Sequence, residues 1–393
     1  MLFTHIYIDN FFSFEQASLD LTYQRPILYS TIDGEWLYQR PKFYIKKVCI
    51  LSGANASGKT SLGAILNFVQ NFVASREYPD SILREHIYHK DKTAQIRVEF
   101  ATTRSYRLHR LQLDFLPKQA QIAFTYAQVA IGINDSVSKV RKRLDDIWQS
   151  QSAIRNTRFI SSYQHKKYAF ALSELFDELK KEVHSGWLYV FSNNESSQNI
   201  EAVQSVINPR VLKAVLTTFD KSIVDVLASR DDAGDNGFSI KFGNHDSVLM
   251  NLHGKITNPE RLSKGTFDAI VVAEFVSRIM QDRKLAIEHT SDTYYLDEKM
   301  AFAHSELEQA ILNLIIEKLR FNSQFFYTTH NYDILEMNLP IHSYVFLKKD
   351  GEYSQFVQPE KIFRKNDRKL LNYVKNDLFR TLPDTTAIDE LLD

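Results

Sequence analysis

The sequence lacks most of the features that mark secreted and membrane proteins. It contains one cysteine, Cys49, so no disulfide can form within the chain, which fits a reducing cytoplasm. No run of about eighteen apolar residues occurs, as a transmembrane helix would need. The first residues form no signal peptide, and we find no internal repeat or low-complexity tract. These absences predict a cytoplasmic protein that makes no contact with a membrane.

An excess of charge of one sign is also missing. Lys plus Arg equals Asp plus Glu at 48 each, so no overall field draws the chain to nucleic acid or membrane, although a local basic groove is still allowed. Hydrophobic content of 44% and charged content of 24% are typical of soluble globular proteins. The length of 393 residues suits one large domain with an insertion, or two domains.

One stretch has a specific chemical pattern. Val48 to Leu51 is a short apolar run typical of a buried strand, and apolar residues recur at helical spacing from Leu62 to Val73. Between them stands the pattern G-x-x-x-x-G-K-[ST], which predicts a phosphate-binding loop made of Gly53, Ala54, Asn55, Ala56, Ser57, Gly58, Lys59 and Thr60, followed by Ser61. The unpaired amides and the positive dipole end of the following helix would face the phosphates. Lys59 would contact the β- and γ-phosphates, and the Thr60 hydroxyl would bind Mg²⁺.

Two further apolar strands end in chemically useful side chains. Tyr294-Tyr295-Leu296 is followed by Asp297, which can hold Mg²⁺ through a water, and Glu298, which can orient and deprotonate an attacking water. The other strand ends in His330, which can donate a hydrogen bond to a γ-phosphate. Acidic residues also favour helix starts, and a lone histidine at a strand end is more often structural, so each string alone is a weak signal.

A third motif opens a helix. Ser263, Lys264 and Gly265 precede apolar residues on one helical face, from Phe267 to Ile279. Ser263 can cap the helix, and Gly265 leaves room for a phosphate near its amides. A capped helix with no ligand is the alternative, but the position just before the acidic strand makes the motif informative.

The order of these motifs resembles that of ABC-class ATPases of the AAA type. It is most similar to the soluble bacterial branch that includes RecF, SMC-type heads and the ATPase parts of overcoming-lysogenisation-defect proteins. Further matching strings are Ile8 to Phe14 (Ile-x-Asn-Phe-x-Ser-Phe), His304 to Leu307, Thr329-His330-Asn331 and, faintly, Asn376 to Pro383. Ala56 departs from the pattern, because the branch usually has glycine there.

The resemblance implies a P-loop NTPase fold of ABC-ATPase type, with a mixed central sheet and an antiparallel β subdomain. It implies ATP and Mg²⁺ as cofactors, with Lys59, Glu298 and His330 as catalytic residues and Thr60 and Asp297 as metal-side residues. Gln95 is the nearest candidate for the glutamine that senses Mg²⁺, although a surface glutamine within a strand is the alternative. Ser263, Lys264 and Gly265 would cap the ATP held by a second copy, so the resemblance also implies a head-to-tail homodimer.

The pattern of elements predicts a domain organisation. Strands are expected at 2–9, 16–22, 94–100 and 106–115, with hairpins at 238–252 and 344–357. Helical patterns at 136–150, 171–184 and 205–228 predict a compact helical lid over 125–235. The lid would separate an N-terminal part of the ATPase head at 1–124 from a C-terminal part at 236–393.

The most basic region is a possible contact for DNA. It comprises Lys139, Arg141, Lys142, Arg143, Arg155, Arg158, Lys166 and Lys167. A solvated helix face is the alternative.

Several functions are compatible with this resemblance. A transporter subunit is disfavoured, because about two hundred residues separate the phosphate loop from the Ser263 motif, roughly twice the usual number. Only about sixty residues follow His330, too few for a nuclease domain. We therefore expect a regulatory ATPase that controls a separate effector, a nuclease or toxin, in bacterial anti-phage defence. A RecF- or SMC-like DNA-binding ATPase of recombination or repair, and a slow-turnover scaffold, are the alternatives.

Overall fold

The computed structural model describes residues 1–25, 27, 30–75, 84–117, 121–150, 154–160, 170–183, 186–193, 196–198, 207–230, 236–251, 256–287, 291–301, 303–363, 369–382 and 386–391. Within these ranges the chain folds as an α/β structure containing four sheets. None of the helices described is both long enough and apolar enough to cross a membrane.

The strands follow the order of the chain. They are β1 Leu2–Asp9, β2 Ala17–Asp20, β3 Thr22–Tyr23, β4 Trp36–Leu37, β5 Arg40–Ile45, β6 Val48–Gly53, β7 Ala94–Thr102, β8 Arg107–Phe115, β9 Gln121–Ala130, β10 Ile154–Ile160, β11 Trp187–Val190, β12 Ser196–Gln198, β13 Ile223–Arg230, β14 Asn236–Phe242, β15 Ser247–Asn251, β16 Asp292–Asp297, β17 Ser323–Thr329, β18 Tyr344–Asp350 and β19 Tyr353–Val357.

The helices are also numbered in the order of the chain. The α-helices are α1 Lys59–Ser75, α2 Val137–Gln149, α3 Phe170–Glu182, α4 Pro209–Phe219, α5 Lys264–Asp282, α6 Ser305–Lys318, α7 Pro359–Ile362, α8 Leu370–Lys375 and α9 Thr386–Asp389. Short 3₁₀ helices occur at Pro259–Arg261, Tyr332–Glu336 and Ile341–Ser343.

The central sheet is mixed and carries the predicted phosphate loop. Its order is β12-β11-β16-β17-β6-β18-β19, with β11, β16, β17, β6 and β18 parallel and an antiparallel strand at each edge. Every residue of β6, β16 and β17 is buried, as expected for parallel strands covered on both faces. Because parallel strands end at the same edge, the residues after β6, β16 and β17 are brought together.

A second sheet is antiparallel, as the sequence predicts. Its order is β10-β9-β8-β7-β1-β2, and the predicted pairing of 94–100 with 106–115 is confirmed by a regular register from Ala94–Phe115 to Thr102–Arg107. One face of this sheet packs with α1 in a core that includes Phe11, Phe14 and Phe100. A smaller core lies under α2 on the other face.

Residues 125–235 do not form the purely helical lid that the sequence predicts. Helices α2, α3 and α4 lie there, but so do β10, which joins the antiparallel sheet, β11, which joins the central sheet, and β13, which starts the β13-β14-β15 sheet. The helix predicted over 205–228 ends at Phe219, and the chain continues as a strand from Ile223. Strands of this region pair with open sheet edges and its apolar residues cover sheet faces, because unpaired edges and uncovered apolar faces are unfavourable.

Candidate functional site

The phosphate loop lies at the carboxyl edge of the central sheet, between β6 and α1. Gly53 ends β6, and a Cβ there would clash with the carbonyl oxygen of Leu347 on the neighbouring β18. Gly58 has φ +103°, and a Cβ would lie 2.8 Å from the ring of Phe14. Ala56 occupies the left-handed region at φ +58°, where glycine is favoured. The chain therefore turns sharply around a concave backbone that ends at the first amides of α1.

A substitution at Gly58 measures how closely Phe14 supports the loop. We expect Gly58→Ala to destabilise the protein by about 2–4 kcal/mol, because left-handed strain of about 1–2 kcal/mol adds to a steric clash. Gly351→Ala is the matched control, since Gly351 also has positive φ (+61°), but a Cβ added there would meet no described atom within 4 Å. Urea unfolding of both variants isolates the clash; equal losses would contradict the close packing of Phe14 on Gly58.

The opening motif Asn10 to Phe14 has a structural role that its sequence does not reveal. The buried Asn10 amide donates to the His89 carbonyl at 3.0 Å and accepts from the His89 N–H at 2.7 Å. The Ser13 hydroxyl contacts that of Ser354 at 2.7 Å. Phe14 stacks on Phe356, with ring centroids 5.2 Å apart, while its edge touches Gly58. The motif thus joins the antiparallel sheet, the β18–β19 hairpin and the phosphate loop.

Lys59 lies folded over the loop. Its ammonium donates to the carbonyl oxygens of Gly53 at 2.9 Å and Ala54 at 3.1 Å, and lies 3.5 Å from Oε1 of Glu298. Burial lowers the pKa of Lys59 from its ordinary value, and the charges of Glu298 and Asp297 oppose that shift. The ammonium of Lys59 thus lies at the loop that is predicted to bind the phosphates. The hydroxyl of Ser57 in the same loop is buried and has no hydrogen-bond partner among the described residues. It could donate a hydrogen bond to a phosphate bound in the loop.

The two residues predicted to lie beside the metal are in direct contact. Thr60 Oγ1 donates to Asp297 Oδ2 at 2.8 Å, and Asp297 is fully buried. Thr328 Oγ1 donates to the other carboxylate oxygen at 2.6 Å. No group of three or more His, Cys, Asp or Glu side chains could hold a metal ion among the described residues. A hydroxyl beside one carboxylate nevertheless fits Mg²⁺, which takes hard oxygen ligands and usually completes its shell with water and substrate phosphates.

Glu298 and His330 are in hydrogen-bond contact over the same edge. His330 Nε2 lies 2.7 Å from Glu298 Oε1, and His330 Nδ1 lies 3.0 Å from the Gly53 carbonyl oxygen. Burial would raise the pKa of Glu298, but the hydrogen bond to His330 and the positive charge of Lys59 outweigh it and lower that pKa below its ordinary value. Glu298 is therefore ionised at neutral pH and can accept a proton. Its backbone has φ +51°, and its N–H donates to the Thr328 hydroxyl at 3.1 Å.

The Ser263 motif lies elsewhere in the chain. Ser263 caps α5, and its Oγ accepts from the Thr266 N–H at 3.2 Å. With Lys264 and Gly265 it lines a pocket of about 1060 Å³ whose other walls include Asp220 and His304. None of the residues that line this pocket belongs to the phosphate loop, β16 or β17. The structure thus brings together Lys59, Thr60, Asp297, Glu298 and His330, and holds the three motif residues at a separate surface.

Gln95 is not brought to the site. It lies on β7 of the antiparallel sheet, and its amide donates to the Asp114 carboxylate on β8 at 2.6 Å. The prediction of Gln95 beside the metal is therefore corrected. The alternative interpretation, a glutamine within a strand, describes its position.

Ser192 is a site residue that the sequence analysis missed. Its backbone N–H donates to Asp297 Oδ2 at 3.3 Å, the same oxygen that accepts from Thr60. Ser192 follows the short buried strand β11, which pairs in parallel with β16. The apolar run Trp187 to Val190 ahead of polar residues was the available signal.

Three of the four basic residues of the cluster whose side chains are described form ion pairs. Arg141 contacts Glu99 at 2.8 Å and Asp20 at 3.0 Å, while Arg143 contacts Asp135 at 2.6 Å. Lys139 also pairs with Asp135, at 3.0 Å. The side chains of Arg155 and Arg158, and Lys166 and Lys167 entirely, lie outside the described residues. Acidic partners thus offset the charges of Lys139, Arg141 and Arg143, while Lys142 is exposed.

Comparisons with known proteins find solved structures of low sequence identity. No protein-family model and no curated protein matches the sequence. Among solved structures, an SMC head bound to the C-winged helix domain of ScpA is 12% identical, with 93% of this chain and 100% of that chain covered and a TM-score of 0.48. An SMC head domain from Thermotoga maritima is 13% identical, with 91% and 99% covered and a TM-score of 0.39.

Proposed function

We propose that this protein binds and hydrolyses ATP with Mg²⁺, and that two copies pair head to tail around two ATP molecules. The observation that carries the proposal is the division of the motifs. Five residues with phosphate, metal and proton-transfer chemistry share one edge of the central sheet, whereas Ser263, Lys264 and Gly265 line a different pocket. One chain therefore presents two half-sites, each of which a second copy can complete.

Each residue at the edge has a role that follows from its contacts. The loop amides and Lys59 bind the triphosphate, with Lys59 exchanging its carbonyl partners for phosphate oxygens. Thr60 and Asp297 would hold Mg²⁺, which would neutralise part of the phosphate charge when bound. Glu298 accepts a proton from the attacking water, and His330 fixes the orientation of that carboxylate.

Pairing follows from the position of the capping motif. Ser263 and the exposed start of α5 can contact the γ-phosphate of an ATP held by the other copy. The same two patches would be used twice, giving a closed, symmetric pair. Loss of the γ-phosphate removes these contacts, so ATP hydrolysis allows the two copies to separate.

The biological role that we propose for this ATPase rests on the sequence resemblance. We propose that the paired and separated states control a separate effector, a nuclease or toxin, in defence against phage. The RecF- or SMC-like DNA-binding alternative is less favoured, because Arg141 and Arg143 are already paired with carboxylates. ATP turnover that rises with double-stranded DNA would support that alternative, and no turnover with any partner would support the scaffold.

Ser263→Arg tests the pairing. With ATP and Mg²⁺, we expect light scattering to show a dimer for the parent and a monomer for the variant, because a bulky cation replaces a hydroxyl at the contact. ATP binding by each monomer should be unchanged, since Ser263 lies outside the chain's own phosphate site. Ser247→Arg, at the exposed first position of β15, is the matched control and should pair normally. Pairing of the Ser263 variant at the parent's affinity would refute the assignment of this surface.

A further inference from the structure

Lys299 directly follows Glu298 in the sequence, but its side chain contacts different residues from those that Glu298 contacts. Its side chain is only 1% exposed. Its ammonium donates to the Ser192 carbonyl oxygen at 3.1 Å and lies 3.6 Å from Oδ1 of Asp268. A buried ammonium held between a backbone carbonyl and a carboxylate is a stiff connection, since breaking either contact leaves a buried charge poorly compensated.

The two partners of Lys299 belong to the two half-sites. Asp268 lies near the start of α5, the helix that Ser263 caps. Ser192 lies beside Asp297, because its N–H donates to Asp297 Oδ2 at 3.3 Å. Thr60 donates to that same oxygen. An unbroken series of contacts therefore runs from the capping helix, through Lys299 and Ser192, to the oxygen that faces the metal position.

We infer that Lys299 couples the capping helix of each chain to the metal-side carboxylate of the same chain, so that the two ATP sites of a pair are not independent. The inference rests on the proposed function, because the capping helix contacts ATP only in the second copy. When α5 engages that ATP, Asp268 moves with the helix, and Lys299 carries the displacement to Ser192. The Ser192 amide would then change its hold on Asp297 Oδ2, the carboxylate oxygen that would help to hold Mg²⁺.

A purely structural role for Lys299 makes a different prediction. If Lys299 only neutralised Asp268, its loss would lower stability without changing the relation between the two sites. A positioning role requires a change in cooperativity and in the Mg²⁺ dependence of turnover, in a protein that remains folded and paired.

The test compares Lys299→Met with the parent. Steady-state ATP hydrolysis is measured against Mg²⁺ at saturating ATP, at protein concentrations where light scattering shows complete pairing at every Mg²⁺ concentration, so that assembly does not contribute to the cooperativity. We expect the Hill coefficient for Mg²⁺ to fall from above 1 to about 1. The Mg²⁺ concentration for half-maximal rate should rise about threefold, less than the roughly 10–100-fold typical of losing a direct contact to a metal ligand. Lys318→Met, on α6 and partly exposed, is the control and should match the parent.

A second variant separates the loss of coupling from the effect of leaving a buried charge unpaired. Lys299→Met with Asp268→Asn removes both charges together and so leaves no unpaired buried ion. It should show the same loss of cooperativity as Lys299→Met. Parent-like cooperativity and Mg²⁺ dependence in a folded variant would overturn the inference, as would a Hill coefficient of 1 in the paired parent. A parent that neither pairs nor hydrolyses ATP would instead overturn the proposed function.

Discussion

Replacing Glu298 with glutamine is expected to lower ATP turnover by about 100- to 10,000-fold, the range usual for loss of a positioned general base. Glutamine has nearly the same shape, but it cannot accept a proton from water. ATP binding should be kept, because Lys59, Thr60 and the loop amides are unchanged. The variant should therefore accumulate as an ATP-bound dimer that does not separate.

Single-turnover hydrolysis and light scattering with ATP and Mg²⁺ measure both parts of this result. Glu317→Gln is the matched control, because the Glu317 side chain is 76% exposed on α6 and pairs only with Lys318 at 3.4 Å among the described contacts. Hydrolysis by Glu298→Gln at the parental rate would remove Glu298 from the chemistry. A trapped dimer with slow hydrolysis would agree with the proton-accepting role proposed for Glu298, which lies 2.7 Å from His330 Nε2.

The positions that the sequence predicts well are those set by local chain order. The phosphate loop, Glu298 and His330 lie at or just after the ends of buried strands, Asp297 ends one, and the ends of adjacent parallel strands must meet. The cap at Ser263 is equally local, because it depends on one side chain and the amide of Thr266. Such features need no knowledge of what packs against them.

The errors arise where long-range packing decides the outcome. Residues 205–228 have enough apolar residues for one helix, but the chain turns at Asp220 and pairs Val226 with Ile240 on β14. The strand β11 is only four residues long, and it is the parallel partner β16 that fixes its position. Ser192 was missed for the same reason, since its contact with Asp297 joins residues 105 positions apart. Gln95 was misplaced because glutamine can satisfy its amide with any nearby carboxylate, here Asp114.

Lys59→Ala is expected to abolish measurable ATP binding, with a loss of affinity of at least about 100-fold. A hydrogen bond to a charged group contributes about 1.5–3 kcal/mol, and about 1.4 kcal/mol corresponds to a tenfold change in affinity. Lys59 can make such bonds to two phosphates, and it also offsets the charge of Glu298, 3.5 Å away. Without the ammonium, the Gly53 and Ala54 carbonyl oxygens and Glu298 would all repel the triphosphate.

Calorimetric titration with ATP and Mg²⁺ measures this loss. Lys213→Ala is the control, because the Lys213 side chain is 51% exposed and pairs with Asp225 at the surface. Binding by Lys59→Ala as tight as that of the parent would refute the phosphate-binding role of the loop. Together, the variants at Glu298 and Lys59 separate binding from chemistry: Glu298→Gln should hold ATP and pair, whereas Lys59→Ala should do neither. Because the proposed pairing uses ATP at the interface, a Lys59→Ala protein that still pairs would show that the contact between copies does not depend on nucleotide.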